Sequence, residues 1–198
     1  MKGIITMKSK DKIMYALLDL AQDYEFSQIT NEMIIQTSNV SRGTYYKYFN
    51  IKEDILVYIE SNFDSRIFNL VSQHTVEDYK TPFHFLGNIV FPALYERRDM
   101  LRILYSSSLR AHWMAYLEEV YTNWSEKFFA DYKEVKTIPH YYAHRGVVKI
   151  TLDLIGLWMS QEKPERPEEF STIYLRMIHT PMIDLLPDSQ KNLIGEQE

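Results

Sequence analysis

The stretch that decides the fold is TNEMIIQTSNVSRGTYYKYFNIKEDIL, residues 30–56. Thr30 and Ser41 are good N-cap residues, because a side-chain hydroxyl can accept a hydrogen bond from a backbone N–H of the first helical turn. Asn39 lies between them, and asparagine is the residue other than glycine that most readily adopts the left-handed conformation that ends a helix. This spacing predicts a helix-turn-helix, with helices over residues 31–37 and 42–49 and a longer helix over residues 51–72.

The second of these helices carries hydrogen-bond donors and no acidic residue. Gly43 costs a helix about 1 kcal/mol relative to alanine, which indicates that another molecule approaches the backbone there. A DNA phosphate or base edge fits this chemistry. We therefore predict DNA contacts from eight residues: Thr30, Arg42, Gly43, Thr44, Tyr45, Tyr46, Lys47 and Lys52.

The predicted roles follow from the side chains. The guanidinium fork of Arg42 can pair with guanine in the major groove, and Tyr45 and Lys47 could reach base edges or a thymine methyl group. Thr44 and Tyr46 present hydroxyls suited to phosphate oxygens. Lys52 lies at the positive end of the following helix, where a phosphate is also favoured. Among the neighbouring tyrosines, we expect Tyr48 to pack and Tyr46 to stay exposed.

The run VSRGTYYKYFNIKEDIL, residues 40–56, resembles the DNA-binding signature of the TetR/AcrR transcriptional regulators. That signature is roughly Val-Ser-x-Gly-Thr-x-Tyr-x-(aromatic or His)-Phe-x-x-Lys-Glu-x-(apolar)-Leu. Asn39 and Ile51 stand where the family has glycine and a small polar residue. The resemblance implies an all-α fold of about nine helices, with a three-helix head and a C-terminal domain for ligand binding and dimerisation. It also implies a homodimeric, ligand-responsive repressor that binds a palindromic operator in double-stranded DNA.

Composition and charge are compatible with this interpretation. The 198-residue chain has no cysteine, which excludes disulfides and thiolate metal sites. The N-terminus lacks the apolar core of a signal peptide, and no apolar run reaches about 18 residues, so we expect a cytoplasmic protein without a membrane partner. The net charge is −5, but the first 52 residues carry +2 and the remainder −7. The basic residues therefore concentrate around the predicted DNA-binding stretch.

We divide the chain into a head over residues 1–50, a connector helix over 51–74, a second domain over 75–186 and a polar tail over 187–198. A first helix is predicted over residues 9–24, with Ile13, Leu17, Leu20 and Ala21 on one face. The lysines of the N-terminal arm, Lys8, Lys10 and Lys12, are either solvated or contact phosphate. In the second domain we predict helices over residues 82–96, 100–107, 109–133 and 140–161, and a last one that begins at Pro167 and is kinked or ended by Pro181.

The last two helices carry more apolar surface than one small bundle needs, and residues 147–159 are apolar almost all round. In the TetR/AcrR family the corresponding pair forms a four-helix dimer interface. The resemblance thus implies a dimer interface of Ile155, Trp158, Met159, Ile173, Tyr174, Met177 and Ile178. The alternative is that these residues only fill the core of the protomer.

The second domain is rich in aromatic residues, which would suit an apolar ligand. The predicted pocket residues are Tyr105, Arg110, Trp113, Trp124, His144 and Trp158, and His112 and Arg145 are further candidate polar anchors. A packed domain controlled by a protein partner, or an activator, is the alternative. No nucleophile–base motif or phosphate-binding loop indicates an enzyme, and no cofactor is expected. His140 and His144 would share a helix face, but the sequence shows no third ligand, so we expect no metal site.

Overall fold

The computed structural model describes residues 8–72, 81–126 and 138–187, without the side chains of residues 64–66, 68, 71 and 72. These residues form helices joined by turns, and the predicted all-α fold is confirmed. No helix in the described ranges is long and apolar enough to cross a membrane. The helices are α1 (Ser9–Asp23), α2 (Asn31–Ser38), α3 (Arg42–Tyr48), α4 (Lys52–Ser72), α5 (Pro82–Phe85), α6 (Phe91–Tyr95), α7 (Arg98–Ser106), α8 (Arg110–Ser125), α9 (His140–Met159) and α10 (Pro167–His179).

The helix-turn-helix forms through the local interactions that the sequence predicts. The Thr30 hydroxyl oxygen accepts a hydrogen bond from the Met33 N–H at 3.2 Å and caps α2. The Ser41 hydroxyl oxygen accepts from the Thr44 N–H at 3.1 Å and caps α3. Asn39 ends α2 with φ 51° and ψ 41°, a left-handed conformation that no other non-glycine residue in the described ranges approaches. Asparagine therefore replaces glycine at this turn without loss of the motif.

Within the head, the apolar core is built from α1, α2, α3 and the start of α4. Ile13 and Leu17 of α1, Ile34 of α2, Tyr45 of α3 and Ile55 of α4 are each fully buried. Each such aliphatic side chain stabilises the fold by about 1.5–3 kcal/mol relative to leaving it in water. The helical periodicity predicted for the first helix is thus the periodicity of its buried face.

The start of α4 is capped from within its own first turn. The Asp54 carboxylate accepts hydrogen bonds from the backbone N–H groups of Asn50, at 2.7 Å, and Ile51, at 3.1 Å. The cap is therefore supplied by the carboxylate of the third residue of α4. The negative charge of Asp54 also suits the positive end of the helix.

The helix predicted over residues 82–96 is one rod with an irregular centre. Residues between α5 and α6 (Leu86–Val90) form a π-helical segment. Gly87 lies in that segment, and a Cβ atom there would be only 2.3 Å from the Ser171 side-chain oxygen of α10. Glycine thus leaves room for the Ser171 side chain where α10 crosses the rod, and a larger residue there would force that side chain to rotate. If α5, the π-helical segment and α6 are counted as one helix, the described residues contain nine helices.

An aromatic cluster joins this rod to the last two helices. The Trp158 ring of α9 stacks on Phe170 of α10 at 4.0 Å, and its indole N–H donates to the Glu165 carbonyl oxygen at 2.9 Å. Phe91 of α6 packs edge-on against both Phe170 and Tyr174. These ring contacts hold α6, α9 and α10 together in the second domain.

The turn between α7 and α8 is bound to the head. The Ser108 hydroxyl donates to the carbonyl oxygens of Ala21, at 3.2 Å, and Tyr24, at 2.8 Å, and the Ser108 N–H also donates to Ala21. One turn further on, the His112 ring of α8 packs edge-on against Phe26 at 4.9 Å. We call Ser108 and His112 together the junction. It satisfies carbonyl groups at the end of α1 that the helix itself leaves unpaired.

Candidate functional site

One face of α3 is free of the protein core. Arg42, Gly43, Tyr46 and Lys47 are all exposed, whereas Tyr45 is buried. At about 100° per residue, the four exposed positions span an arc of about 140°. We call this set the α3 face. It presents a guanidinium, an open stretch of backbone, a phenol and an ammonium group, all of which can meet phosphates and base edges.

Arg42 has an acidic neighbour on α2. Its Nη2 atom lies 3.2 Å from Glu32 Oε2, and both side chains are at least half exposed. An exposed pair of this kind is worth about 0–1 kcal/mol, so Arg42 can leave it for a stronger anion at little cost. The sequence did not reveal this pair, because the two residues are ten positions apart on different helices.

The prediction that Tyr45 contacts DNA is wrong for this conformation. Tyr45 is fully buried in the head, and its hydroxyl donates to Asn31 Oδ1 at 3.0 Å. Burial, followed by the nearby charges of Tyr46, Asp54 and Glu53, raises the pKa of Tyr45 from 10.0 to about 12. Asn31 in turn donates to the Asn50 carbonyl oxygen at 3.1 Å, so Tyr45 helps to hold α3 against α2 and the start of α4. Tyr46 is exposed as expected, but Tyr48 is exposed as well.

The structure also gives Lys52 a different role from the predicted phosphate contact. Its ammonium group donates to three backbone carbonyl oxygens, those of Phe26, Ser27 and Ile29. It also lies 4.5 Å from the centre of the Phe26 ring. An ammonium group has three donors, and all three are used within the head. Lys52 therefore fastens the 3₁₀ turn of residues Phe26–Gln28 to α4 instead of facing a phosphate.

Thr30, Thr44 and the N-terminal lysines are partly engaged in the head. The Thr44 hydroxyl lies 2.8 Å from that of Ser41, and Thr30 caps α2 but stays exposed. Lys10 lies over the ring of Tyr58 at 4.6 Å, whereas Lys8 and Lys12 are exposed. Of the predicted DNA contacts, those that remain open to another molecule are the α3 face and the hydroxyls of Thr30 and Thr44.

The second domain holds a cavity of about 360 Å³. Its wall is mostly apolar, with polar groups from Tyr105, Tyr121, Ser125 and Thr151. The Thr151 hydroxyl lies 2.8 Å from the Tyr174 hydroxyl, and burial raises the pKa of Tyr105 well above its ordinary value. A cavity of this size and character is typical of a site for a small apolar molecule with few polar groups.

Two of the six predicted pocket residues, Tyr105 and Trp124, line the cavity. Arg110 is exposed, whereas Trp113 and Trp158 are buried in the core, and none of the three lines the cavity. His144 stands behind the wall, with its Nε2 atom 2.8 Å from the Ser125 hydroxyl oxygen. Arg110, Trp113 and Trp158 thus do not face this cavity, because helical spacing does not distinguish a residue packed in the core from one that faces a void.

The cavity wall includes a residue of the helix that leads to the head. Phe63 of α4 lines the cavity and packs edge-on against Trp113 at 4.9 Å. The first turn of the same helix carries Lys52 and Asp54, which are bonded to the head. One continuous helix therefore has its start in the head and a later turn in the wall of the cavity.

The residues predicted for a dimer interface divide into two groups. Ile155, Trp158, Met159 and Tyr174 are buried within the protomer, and Ile155 lines the cavity, so the alternative of a core role holds for these four. Ile173 and Met177 are exposed on α10, and Ile178 is partly buried. The outer face of α9 adds exposed apolar residues that were not predicted, Ile150 and Leu157. The four exposed residues, Ile150, Leu157, Ile173 and Met177, are called the apolar face below.

The expectation that His140 and His144 have no third neighbour of metal-binding type is also wrong. Glu126, which follows α8, brings its carboxylate next to both imidazole rings. This carboxylate is 14 residues before His140 in the sequence, and only the packing of α8 on α9 brings them together.

This geometry defines a class of protein: a helix-turn-helix head with an exposed donor-rich helix, joined by a long helix to a helical domain that holds a cavity. No protein-family model matches the sequence, and no curated protein matches it. Solved structures do match, and they show that the chain has the TetR-like fold.

Three of these structures indicate how close the likeness is. The TetR transcriptional regulator from Streptococcus agalactiae 2603V shares 22% identity at a TM-score of 0.55, over 87% of this chain and 94% of that one. A structure described as a TetR-family transcriptional regulator, from Syntrophomonas wolfei str. Goettingen, shares 21% identity at 0.60, over 85% and 92%. The dihydroxyacetone kinase operon activator DhaS shares 16% identity at 0.52, over 86% and 93%.

Proposed function

We propose that this protein is a sequence-specific DNA-binding transcriptional regulator, with residues 1–50 as the DNA-binding head. The observation that carries the proposal is the α3 face, where Arg42, Gly43, Tyr46 and Lys47 are exposed on a helix whose opposite side anchors it in the head. A second helix of a helix-turn-helix enters the major groove in this way. The fold shared with known regulators supports the same conclusion.

The test begins with selection of DNA from a random duplex library by the purified protein. The recovered duplex is then titrated by fluorescence anisotropy at several salt concentrations. Arg42→Ala should lower the preference for the recovered sequence over scrambled DNA, because a bidentate contact to a guanine is worth about 1–3 kcal/mol. The matched control is Arg145→Ala, an exposed arginine on α9 outside the head. Failure to enrich any sequence, with equal binding to all duplexes, would contradict the proposal.

We further propose that the protein acts as a homodimer on a palindromic operator, with the apolar face as the interface. Exposed Leu157 and Ile173 lie on neighbouring helices, and large exposed apolar residues of this kind favour association with a like surface. Leu157→Glu should yield a monomer and weaken operator binding. Analytical ultracentrifugation of this variant and of Tyr141→Glu, an equally exposed position on α9, separates the interface from a general effect of charge. An unchanged dimer in Leu157→Glu would place the interface elsewhere.

We propose that a small apolar molecule in the cavity controls the head. Phe63 connects the cavity wall to α4, so a ligand that prefers one position of α4 would shift the population of head positions. The cavity favours this mechanism over control by a protein partner, which would not need the void. Thermal denaturation in the presence of apolar compounds should identify ligands, and Val147→Trp, at an exposed position of the cavity wall, should abolish their effect. Tyr141→Trp on the same helix is the control.

Repression is the regulatory outcome that we propose, and activation is the alternative. The fold does not decide between them, because DhaS, with the same fold, is an activator. Transcription from a promoter that carries the recovered operator would decide the question in a reconstituted system. A fall in transcript on addition of the protein, reversed by a cavity ligand, is the expected result. A rise in transcript would establish activation.

A further inference from the structure

A cluster of two histidines and a glutamate lies where α8 ends and α9 begins. Glu126 follows the last residue of α8, His140 is the first residue of α9, and His144 lies one turn further along α9. One ligand atom from each residue lies within 4.8 Å of the other two. His144 Nδ1 is 2.9 Å from Glu126 Oε2, and His140 Nε2 is 3.8 Å from Glu126 Oε1.

The inner histidine is held in a defined orientation. His144 is almost fully buried, with only 3% of its surface exposed. Its Nε2 atom is 2.8 Å from the Ser125 hydroxyl oxygen, and that hydroxyl donates to the Thr122 carbonyl oxygen at 3.3 Å. This contact to Nε2 turns the Nδ1 atom of His144 towards Glu126. Histidine ligands of metals are commonly oriented by such a partner on their other nitrogen.

The Nδ1 atom of His144 and the Glu126 carboxylate face each other at 2.9 Å. The end of α8 lies beside them, where a helix C-terminus carries partial negative charge and the last turn contains no basic residue. These surroundings favour a cation between the imidazole and the carboxylate.

The set of donors selects the kind of ion. Two imidazole nitrogens and one carboxylate oxygen suit Zn²⁺, Co²⁺ or Ni²⁺, whereas Mg²⁺ and Ca²⁺ prefer oxygen ligands alone. Tetrahedral Zn²⁺ with bonds of about 2.0–2.1 Å separates its ligand atoms by about 3.3 Å. The separations of 2.9 and 3.8 Å run to different oxygens of the Glu126 carboxylate and bracket this value, and all three ligand atoms lie within 4.8 Å of one another, so shifts of up to about 1.5 Å would close the site. His140 and Glu126 are both substantially exposed at their side chains, which permits such shifts.

We propose that Glu126, His140 and His144 form a binding site for a divalent transition-metal ion, with Zn²⁺ as the reference ion. The three protein ligands leave the fourth tetrahedral position to water or to another ligand. The ion ties the end of α8 to the start of α9. Ser125 contacts His144 on one side and lines the cavity on the other, so occupancy of the metal site is transmitted to the cavity wall. This site is independent of the proposed DNA binding.

The test uses the full chain without an affinity tag, stripped with a chelator and titrated with Zn²⁺ and with Co²⁺. One ion should bind per chain, and Co²⁺ should develop the visible absorption of a tetrahedral complex with nitrogen and oxygen ligands. At a free Zn²⁺ concentration one hundred times Kd, the melting temperature should rise by roughly 5–10 °C. Glu126→Gln and His140→Gln should each lower the affinity at least tenfold, a change typical of the loss of one ligand.

Glu118→Gln is the matched control. Glu118 also lies on α8 and pairs with Lys149 of α9 at 2.8 Å, so the substitution removes the same charge between the same two helices. It should leave metal binding unchanged. Both test variants alter exposed side chains and should fold, which circular dichroism checks. The proposal is overturned by the absence of a visible Co²⁺ spectrum and of a metal-dependent shift in the wild-type protein, or by equal affinities of Glu126→Gln, His140→Gln and wild type.

Discussion

Replacing Gly43 by alanine separates the stability of α3 from its function. Gly43 is the second residue of α3, is exposed and has helical backbone angles, and a Cβ atom there would meet no atom of the protein within 4 Å. The free protein therefore gives no reason for a glycine at this position. Glycine in a helix costs up to about 1 kcal/mol relative to alanine, so Gly43→Ala should raise the melting temperature by up to about 3 °C.

The effect on DNA binding should have the opposite sign. If the α3 backbone approaches the duplex at Gly43, the added methyl group must displace either DNA or α3. Overpacking of one methyl group typically costs about 1–3 kcal/mol, which corresponds to roughly a 5- to 150-fold loss of affinity. Fluorescence anisotropy with the recovered operator measures this loss, and thermal denaturation of the same samples measures the stability. A more stable protein that binds DNA less tightly is the expected outcome.

Gly146→Ala provides the matched control. Gly146 lies in α9, outside the head, and a Cβ atom there also meets nothing within 4 Å. This substitution should stabilise the protein to a similar extent and leave operator affinity unchanged. If Gly43→Ala binds the operator as tightly as Gly146→Ala does, the backbone at Gly43 does not approach DNA, and the reasoning from the exposed glycine fails.

Three further predictions concern the head. Lys52→Met should lower the free energy of unfolding by about 1–3 kcal/mol, because three carbonyl groups lose a charged donor. The salt dependence of DNA binding should not change. A salt slope reduced by about 0.9, in a protein of unchanged stability, would show instead that Lys52 contacts a phosphate. Glu32→Gln releases Arg42 and should strengthen DNA binding about two- to fivefold in an anisotropy titration, whereas a weaker complex would show that the pair positions Arg42 for the groove. Because the pKa of Tyr45 is raised to about 12 in the fold, neutral Tyr45 contributes stability that is fully present below pH 10 and is lost as the pH rises towards about 12. Urea denaturation between these pH values should therefore show a steeper loss of stability for wild type than for Tyr45→Phe.

The features of the head that the sequence predicts are those that depend on neighbouring residues. Thr30 and Ser41 cap the helices that they precede, and Asn39 takes the left-handed conformation, because each of these interactions spans three or four residues. The exposure of the α3 side chains depends on tertiary packing. Tyr45 and Tyr46 are adjacent and of the same type, yet one is buried under α2 and the other is exposed. Sequence alone does not assign them to opposite sides until the position of α2 is known.

The same limit explains the differences in the second domain. The helix starts at Pro82, His140 and Pro167 are predicted correctly, because proline and cap signals are local. The part of the long predicted helix after residue 126 and the tail beyond residue 187 lie outside the described residues. Cavity lining is a property of several helices at once, and aromatic content does not locate it. The sequence also does not show that the Glu126 carboxylate lies beside the two histidines, because only the packing of α8 on α9 brings them together.

The junction has a consequence for exchanging heads between proteins of this shape. Ser108 donates hydrogen bonds to carbonyl groups at the end of α1, and His112 covers the Phe26 ring. Part of the head's surface is therefore completed by residues more than 80 positions further along the chain than the head residues that they contact. A chimera that carries residues 1–50 on a foreign second domain would expose those carbonyl groups and that ring to water. Such a transplant keeps the native head only if the recipient supplies a hydroxyl and a ring at the positions of Ser108 and His112, so the unit that can be exchanged is discontinuous in sequence.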